Sequence, residues 1–258
     1  MKPSKYYLPL LAAVLLPGGG LHATDKDAFF YFDEEGVNVA LDSSGNNLNM
    51  EYSSPEAFEV SYENPKFGGS SLKVIGPKGG IKQSLKEDPY TKLGEEIQRM
   101  SVVAWIYLPE QIKDDIGFSF LVRQSISSKK RNGDWRLAVH SALGLRFATL
   151  SESLAASPRH KELYPGSWTH YAMIFEEGMI SLYENGMCIV QKPSEPLSIP
   201  EADQTDGAQP RFVGLSGLPE GSFVDDLGYF GDTALSEEDI HKIMKTGLQD
   251  FVENRETP

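Results

Sequence analysis

The sequence predicts an all-β chain, an antiparallel jelly-roll sandwich with one short C-terminal helix. Three observations predict it. Short apolar and β-branched runs recur along most of the 258 residues, each broken by Gly, Pro, Asn or Asp. Helical periodicity is confined to one segment near the end of the chain. The runs follow one another without the alternating helices that a parallel sheet requires.

The first 23 residues read as a secretory signal peptide. Lys2 and Lys5 form a basic start, Tyr6–Leu16 an apolar run, and Pro17-Gly18-Gly19-Gly20 a break before Leu21-His22-Ala23. Cleavage is expected after Ala23. The eleven apolar residues would reach about 16 Å as a helix, roughly half of a bilayer core. No membrane span is therefore expected here, and no other stretch is long and apolar enough. Removal of residues 1–23 leaves residues 24–258, read as one domain, and takes away two lysines, moving the net charge from −13 to −15.

Strands are expected at Ala28–Phe32, Leu48–Tyr52, Phe58–Tyr62, Ser71–Ile75, Met100–Leu108, Phe118–Arg123 and Trp135–His140. They continue at Leu143–Thr149, Trp168–Phe175, Met179–Glu184, Met187–Gln191, Arg211–Leu215 and Phe223–Phe230. Glu177-Gly178 and Asn185-Gly186 are tight-turn signals, and Asn-Gly supplies the positive φ angles of a type I′ turn. Trp168 to Gln191 is thus a three-stranded meander. Glu195 to Pro210 is polar and Pro-rich and is read as a loop. Ser236 before Glu237, Glu238 and Asp239 is a helix cap with acids at the positive end. Ile240, Ile243, Met244 and Leu248 recur at helical spacing, and the tail after Phe251 is expected to fray.

Composition removes several function classes. With 24 Lys+Arg against 37 Asp+Glu, neither nucleic acid nor an anionic membrane is the expected partner. Lys129-Lys130-Arg131, the one basic cluster, reads as a solvated loop. A single cysteine excludes an intramolecular disulfide framework and a Cys-based zinc cluster, and Cys188 within Met187–Val190 reads as a buried, inert thiol. The lack of Asn-x-Ser/Thr sequons alongside so few cysteines fits a bacterial exported protein. None of the five histidines has metal-protease spacing. Gly214-Leu215-Ser216-Gly217 fails as a nucleophile elbow, because Leu218 stands where the second glycine is needed.

The order of motifs resembles the laminin-G-like jelly-roll modules of the concanavalin A-like lectin/glucanase superfamily. Tyr31–Gly36 and Leu41–Met50 are similar to the family's entry strand and its Asp-Ser-Ser-Gly-Asn turn. Phe67-Gly68-Gly69-Ser70-Ser71-Leu72 resembles its Gly-rich approach to the next strand, and Ser101–Ile106 its central strand with a buried Trp. Trp168–Ala172 with Leu182–Gly186, and Phe223–Phe230 with Ala234-Leu235-Ser236, complete the series.

The resemblance implies an exported, non-catalytic binding or adhesion module engaging glycans or cell-surface polymers. Its alternative is an unconventional glycoside hydrolase. Laminarinase-type members carry Glu-x-Asp-x-x-Glu on one strand, where alternation puts the acids on one face. That spacing does not occur here. Asp225-Asp226 is not expected to substitute, because adjacent strand residues point to opposite faces. Trp105 and Trp168 read as core and Trp135 less firmly so, while Tyr62, Tyr90 and Tyr164 lie near loops where a ligand could meet them. The resemblance also implies one structural Ca²⁺ on the convex side, held by Asp225 with backbone oxygens at Asp33 and Gly69.

Overall fold

The computed structural model describes residues 27–33, 39–52, 54–76, 80–82, 96–110, 118–126, 135–140, 144–149, 153–155, 164–194, 197–198 and 210–255. The expected signal peptide, Tyr90 and Lys129-Lys130-Arg131 lie outside them.

In chain order the described strands are β1 (Ala28–Phe30), β2 (Val39–Ala40), β3 (Met50–Tyr52), β4 (Phe58–Ser61), β5 (Ser71–Val74) and β6 (Gly80–Lys82). Next come β7 (Glu96–Ile97), β8 (Arg99–Tyr107), β9 (Phe118–Ile126), β10 (Trp135–His140), β11 (Gly144–Thr149) and β12 (Ser153–Ala155). The last are β13 (Trp168–Glu176), β14 (Met179–Glu184), β15 (Met187–Pro193), β16 (Leu197–Ser198), β17 (Pro210–Ser216) and β18 (Phe223–Phe230). Two short helices follow, α1 (Glu237–Thr246) and α2 (Leu248–Asn254). Among the described residues no helix is long and apolar enough to cross a membrane.

Two antiparallel eight-stranded sheets form the sandwich. Sheet A has the order β15-β14-β13-β8-β18-β5-β4, with β1 also on β18. Sheet B has the order β12-β11-β10-β9-β17-β6-β3-β2. Each of the thirteen expected strands falls on one of these. The five that sequence reading missed, β2, β6, β7, β12 and β16, are two or three residues long, too short to show a period. One of them, β16, lies inside the stretch read as a loop.

Alternation sorts side chains between the layers. Val102, Ala104 and Ile106 of β8, Tyr171, Met173 and Phe175 of β13, and Leu137, Val139 and Phe147 of sheet B share one buried cluster. Trp135 stacks on Phe147 with ring centres 6.2 Å apart. The opposite residues of sheet A form a second cluster under the helices, in which Phe29, Val103, Ala172, Ile174 and Phe230 meet Ile240, Ile243, Leu248 and Phe251. The helices are therefore a cover for the outer face of sheet A. Gly228 makes this close approach possible, since a Cβ there would sit 2.9 Å from Leu248 and 3.0 Å from Val103.

Local chemistry fixes the corners. Both turns of the meander have two central residues with positive φ, Glu177-Gly178 and Asn185-Gly186, as a type I′ turn requires. The Asp42–Asn46 turn closes on the Asp42 carboxylate, which accepts from the N–H of Phe29, Ser44 and Leu48. Ser236 and Asp239 form a capping box at the start of α1. The expected single helix is two, because Gly247 (φ 89°) breaks it, and α2 holds the tail in place as far as Asn254. Cys188 is a correction too: its thiol is exposed, because β15 is the edge strand of sheet A.

Trp105→Ala is expected to cost about 3–5 kcal/mol, the usual loss on emptying a large aromatic site. Urea unfolding of the variant beside the wild type checks it. A loss under about 1 kcal/mol would show that the indole is not part of the folded packing.

Candidate functional site

The outer face of sheet A is organised by register into rows that cross the strands. One row runs Gly228, Val103, Ala172, Tyr183 and Cys188, and the helices cover much of it. The next holds Asp225, Trp105 and His170. The one beyond holds Trp168, Tyr107, Phe223, Lys73 and Glu59. This last row has three aromatic rings side by side, with centres 5.8 Å apart for Tyr107–Trp168 and 5.7 Å for Tyr107–Phe223. Trp168 and Tyr107 are half-buried. At the far end the Lys73 ammonium lies 5.7 Å from the Phe223 ring centre and pairs with Glu63 and Glu59.

A β-bulge builds the middle row. Between Asp225 and Gly228 strand β18 advances three residues while β8 advances two, from Trp105 to Val103. Asp226 takes φ 50° at this point. Both carboxyl groups therefore serve the outer face, and the expected opposition of adjacent residues is overturned. Asp225 Oδ2 accepts from the N–H of Lys66 at 2.9 Å and of Phe67 at 3.0 Å, and its Oδ1 accepts from the N–H of Asp226. Asp226 Oδ2 accepts from Leu248 N–H at 2.7 Å, at the start of α2.

The segment 62–70 is held at its other end by Asp33. Its Oδ1 accepts from the N–H of Gly69 at 3.4 Å and of Ser70 at 3.2 Å, and from the Ser70 hydroxyl at 3.1 Å. So the three residues expected at a metal, Asp225, Asp33 and Gly69, do lie along one clasp. The donors that reach the two carboxylates are N–H and O–H groups. Calcium takes oxygen ligands, and the three backbone N–H groups on Asp225 use three of the roughly four lone-pair sites of that carboxylate. Among the described residues no three His, Cys, Asp or Glu side chains gather as a metal site.

Phe67 meets Trp105 edge-on at 6.1 Å, and the Lys66 ammonium sits 4.1 Å from the Trp105 ring centre. His170 is fully buried beside Trp105, ring centres 5.0 Å apart. Among the described residues neither His170 nitrogen has a hydrogen-bond partner, and neither do the buried indole N–H groups of Trp105 and Trp168 or the hydroxyl of Ser222. Burial holds the His170 pKa down at about 3, with the charges of Lys66 and His241 adding to it. Burial, then the neighbouring Asp226, push Asp225 up to about 8 in spite of its three backbone donors. Burial pushes Asp226 up to about 6.

Sequence reading placed Trp105 and Trp135 correctly as buried. It assigned Trp168 to the core, where the structure half-exposes it, and it passed over Tyr107, Phe223 and Lys66. One available signal was Trp105 and Tyr107 alternating with Val102, Ala104 and Ile106, which leaves β8 large side chains on both faces. The exposed tyrosines Tyr62 and Tyr164 are where they were expected, on the surface.

No protein-family model matches the sequence, and no curated protein matches it. Solved structures do match in shape. Domain 4 of the GH43 extracellular arabinanase AbnA from Geobacillus stearothermophilus, in complex with arabinotriose, is similar at 18% identity and TM-score 0.55. The match covers 87% of this chain and 97% of that one. Trypanosoma rangeli sialidase in complex with sialic acid is similar at 13% identity and TM-score 0.56, over 92% of this chain and 35% of the sialidase. A structure describing how cell entry of botulinum neurotoxin type C depends on two ganglioside molecules is similar at 18% identity and TM-score 0.51. That match covers 86% of this chain and 51% of the toxin chain. The chain thus spans about a third of the sialidase and about half of the toxin chain. These likenesses show a β-sandwich fold.

Two outcomes follow from the acid pair. A carboxyl with a raised folded-state pKa stabilises below its unfolded pKa, near 4, and that stability is lost as pH rises through the folded value. Above about pH 7.5 His170 is essentially neutral in both states, so unfolding free energy is expected to fall from there to about pH 9 as Asp225, with its pKa at about 8, ionises. Asp225→Asn should flatten the fall, read by urea unfolding at each pH; an unchanged slope would assign the loss to another group. Separately, melting curves in excess calcium and in chelator are expected to coincide. A chelator-sensitive Tm that Asp225→Ala abolishes would restore the ion.

Proposed function

We propose that this chain is an exported, non-catalytic glycan-binding module, related in plan to the laminin-G-like jelly rolls, that meets saccharide chains with the outer face of sheet A. The single observation that carries the reading is the half-buried pair of Trp168 and Tyr107 on one cross-strand row, with Phe223 buried beside them. Flat apolar faces of sugar rings stack on such aromatics, while edge polar groups hold the ring hydroxyls. Neighbouring strands are about 4.8 Å apart, a step of the same order as one sugar unit of an extended chain. The arabinotriose complex of the arabinanase domain and the ganglioside dependence of the toxin add support from proteins of the same fold. Export through residues 1–23 is part of the reading, since extracellular or envelope polymers are its partners.

The hydrolase alternative draws less from the same face. Retaining glycosidases need one free carboxylate to attack and a second to donate a proton. Here both oxygens of Asp225 and one of Asp226 already accept backbone N–H groups.

The test is a glycan array with the mature protein, followed by a hydrolysis assay on each hit. Binding without product release is expected. Trp168→Ala should weaken the hit at least about tenfold, or about 1.4 kcal/mol. Release of shortened products would replace the binding module by an enzyme.

A further inference from the structure

The turn between β14 and β15 lies against α1, and two side chains that can ligate a metal make the contact. A Cβ placed on Gly186 would stand 2.7 Å from both Nε2 and Cδ2 of His241 and 3.0 Å from Sδ of Met244. The imidazole nitrogen and the thioether sulfur thus converge on one point, the place where a glycine at φ 78° carries no side chain. His241 and Met244 stand three apart on α1, and such residues are neighbours on one helix face. The His241 ring is exposed and Met244 half-buried, so this cradle opens to solvent. Docking of α1 does not depend on it, since Ile240 and Ile243 are the buried residues of that helix.

A third soft donor stands beside the pair. Cys188 lies two residues beyond Gly186, and alternate residues of a strand share a face about 7 Å apart. Its thiol is exposed. Partial burial and then the Glu237 carboxylate push that thiol up, and Glu237 stands one helical turn before His241 on α1, so the thiol lies beside the same helix. The thiol donates to the Val190 carbonyl at 3.5 Å, and a rotation about one side-chain bond releases it toward Gly186.

We propose that His241 Nε2, Met244 Sδ and the Cys188 thiolate bind one Cu(I) ion over Gly186. Thioether and thiolate sulfur with imidazole is a soft donor set, and soft donors select Cu(I) over calcium, magnesium or manganese. An ion with bonds of about 2.0 Å to nitrogen and about 2.3 Å to sulfur holds the two atoms up to about 4.3 Å apart. The distances to the Gly186 position keep Nε2 and Sδ within about 6 Å, and the unbranched Met side chain takes up the difference. Binding exchanges the S–H bond of Cys188 for a Cu–S bond and releases the proton to water; no electron is transferred. The net charge of −13 favours a cation. Nothing in this site touches the aromatic row, so it stands apart from the glycan-binding reading.

The experiment titrates the mature protein, without oxygen, into the coloured Cu(I) complex of bicinchoninate, whose absorbance falls as copper is withdrawn. One Cu(I) per chain is expected to leave the probe. Met244→Leu, which keeps the packing and loses the sulfur, and His241→Gln should each weaken uptake at least about tenfold. The copper-free Tm of both variants should match the wild type. On the wild-type chain, adding redox-inert Ag(I) should shift the methyl NMR resonance of Met244 before that of any other methionine. No withdrawal of copper from the probe would overturn the proposal, as would an Ag(I) shift that begins at another methionine. Uptake that survives both α1 substitutions and is lost only with Cys188→Ser would overturn it too, because any exposed thiol would do the same.

Discussion

Two buried carboxyl groups hold the outer face of sheet A together. Asp225 anchors the segment 62–70 through two backbone N–H groups, and Asp226 anchors α2 through one. Segment and helix pack over neighbouring rows of the same sheet. Neither anchor would exist without the bulge, because a regular strand would turn one of the two acids toward the core between the sheets. A single inserted residue in the register of β18 with β8 thus decides what covers this face and where the cover stops. A buried charge is costly unless well solvated by donors, and the raised pKa values of both acids record that cost.

The division of the outer face follows. Where Leu248, Ile240 and Ile243 lie on it, Gly228, Val103 and Ala172 let the helices approach, and Phe29 and Phe230 pack against them. Where only the Lys66–Phe67 segment reaches, the row beneath holds Trp105 and His170. Where nothing from the helices reaches, the row is aromatic.

Much of the fold was legible in the sequence, because its signals are local. Asn185-Gly186 dictates its turn, Ser236 with Asp239 its cap, and the β-branched runs their strands. Five strands of two or three residues were missed, because so short a run shows no period of its own. The bulge was misread for a similar reason: nothing within Val224–Gly228 announces that the chain slips by one against β8. The site was harder still. Trp168 reads as core from its apolar neighbours, and only the register that aligns it with Tyr107 and Phe223 reveals a shared surface. Lys66, on an ordinary polar stretch, becomes notable only when Trp105 is found beneath it.

The exposed thiol of Cys188 has a consequence of its own. It is the sole cysteine of the chain, so a reporter group attached through sulfur goes to one atom. The row that holds it, with Tyr183 and Ala172, puts it two strands and four residues from Trp168. At ordinary strand spacing this is on the order of 15 Å, well inside the range over which an indole passes excitation to a dye. The molecule therefore carries its own optical ruler: indole donors at one end of the outer face, a unique attachment point at the other, and between them the sheet whose cover the acid pair holds in place.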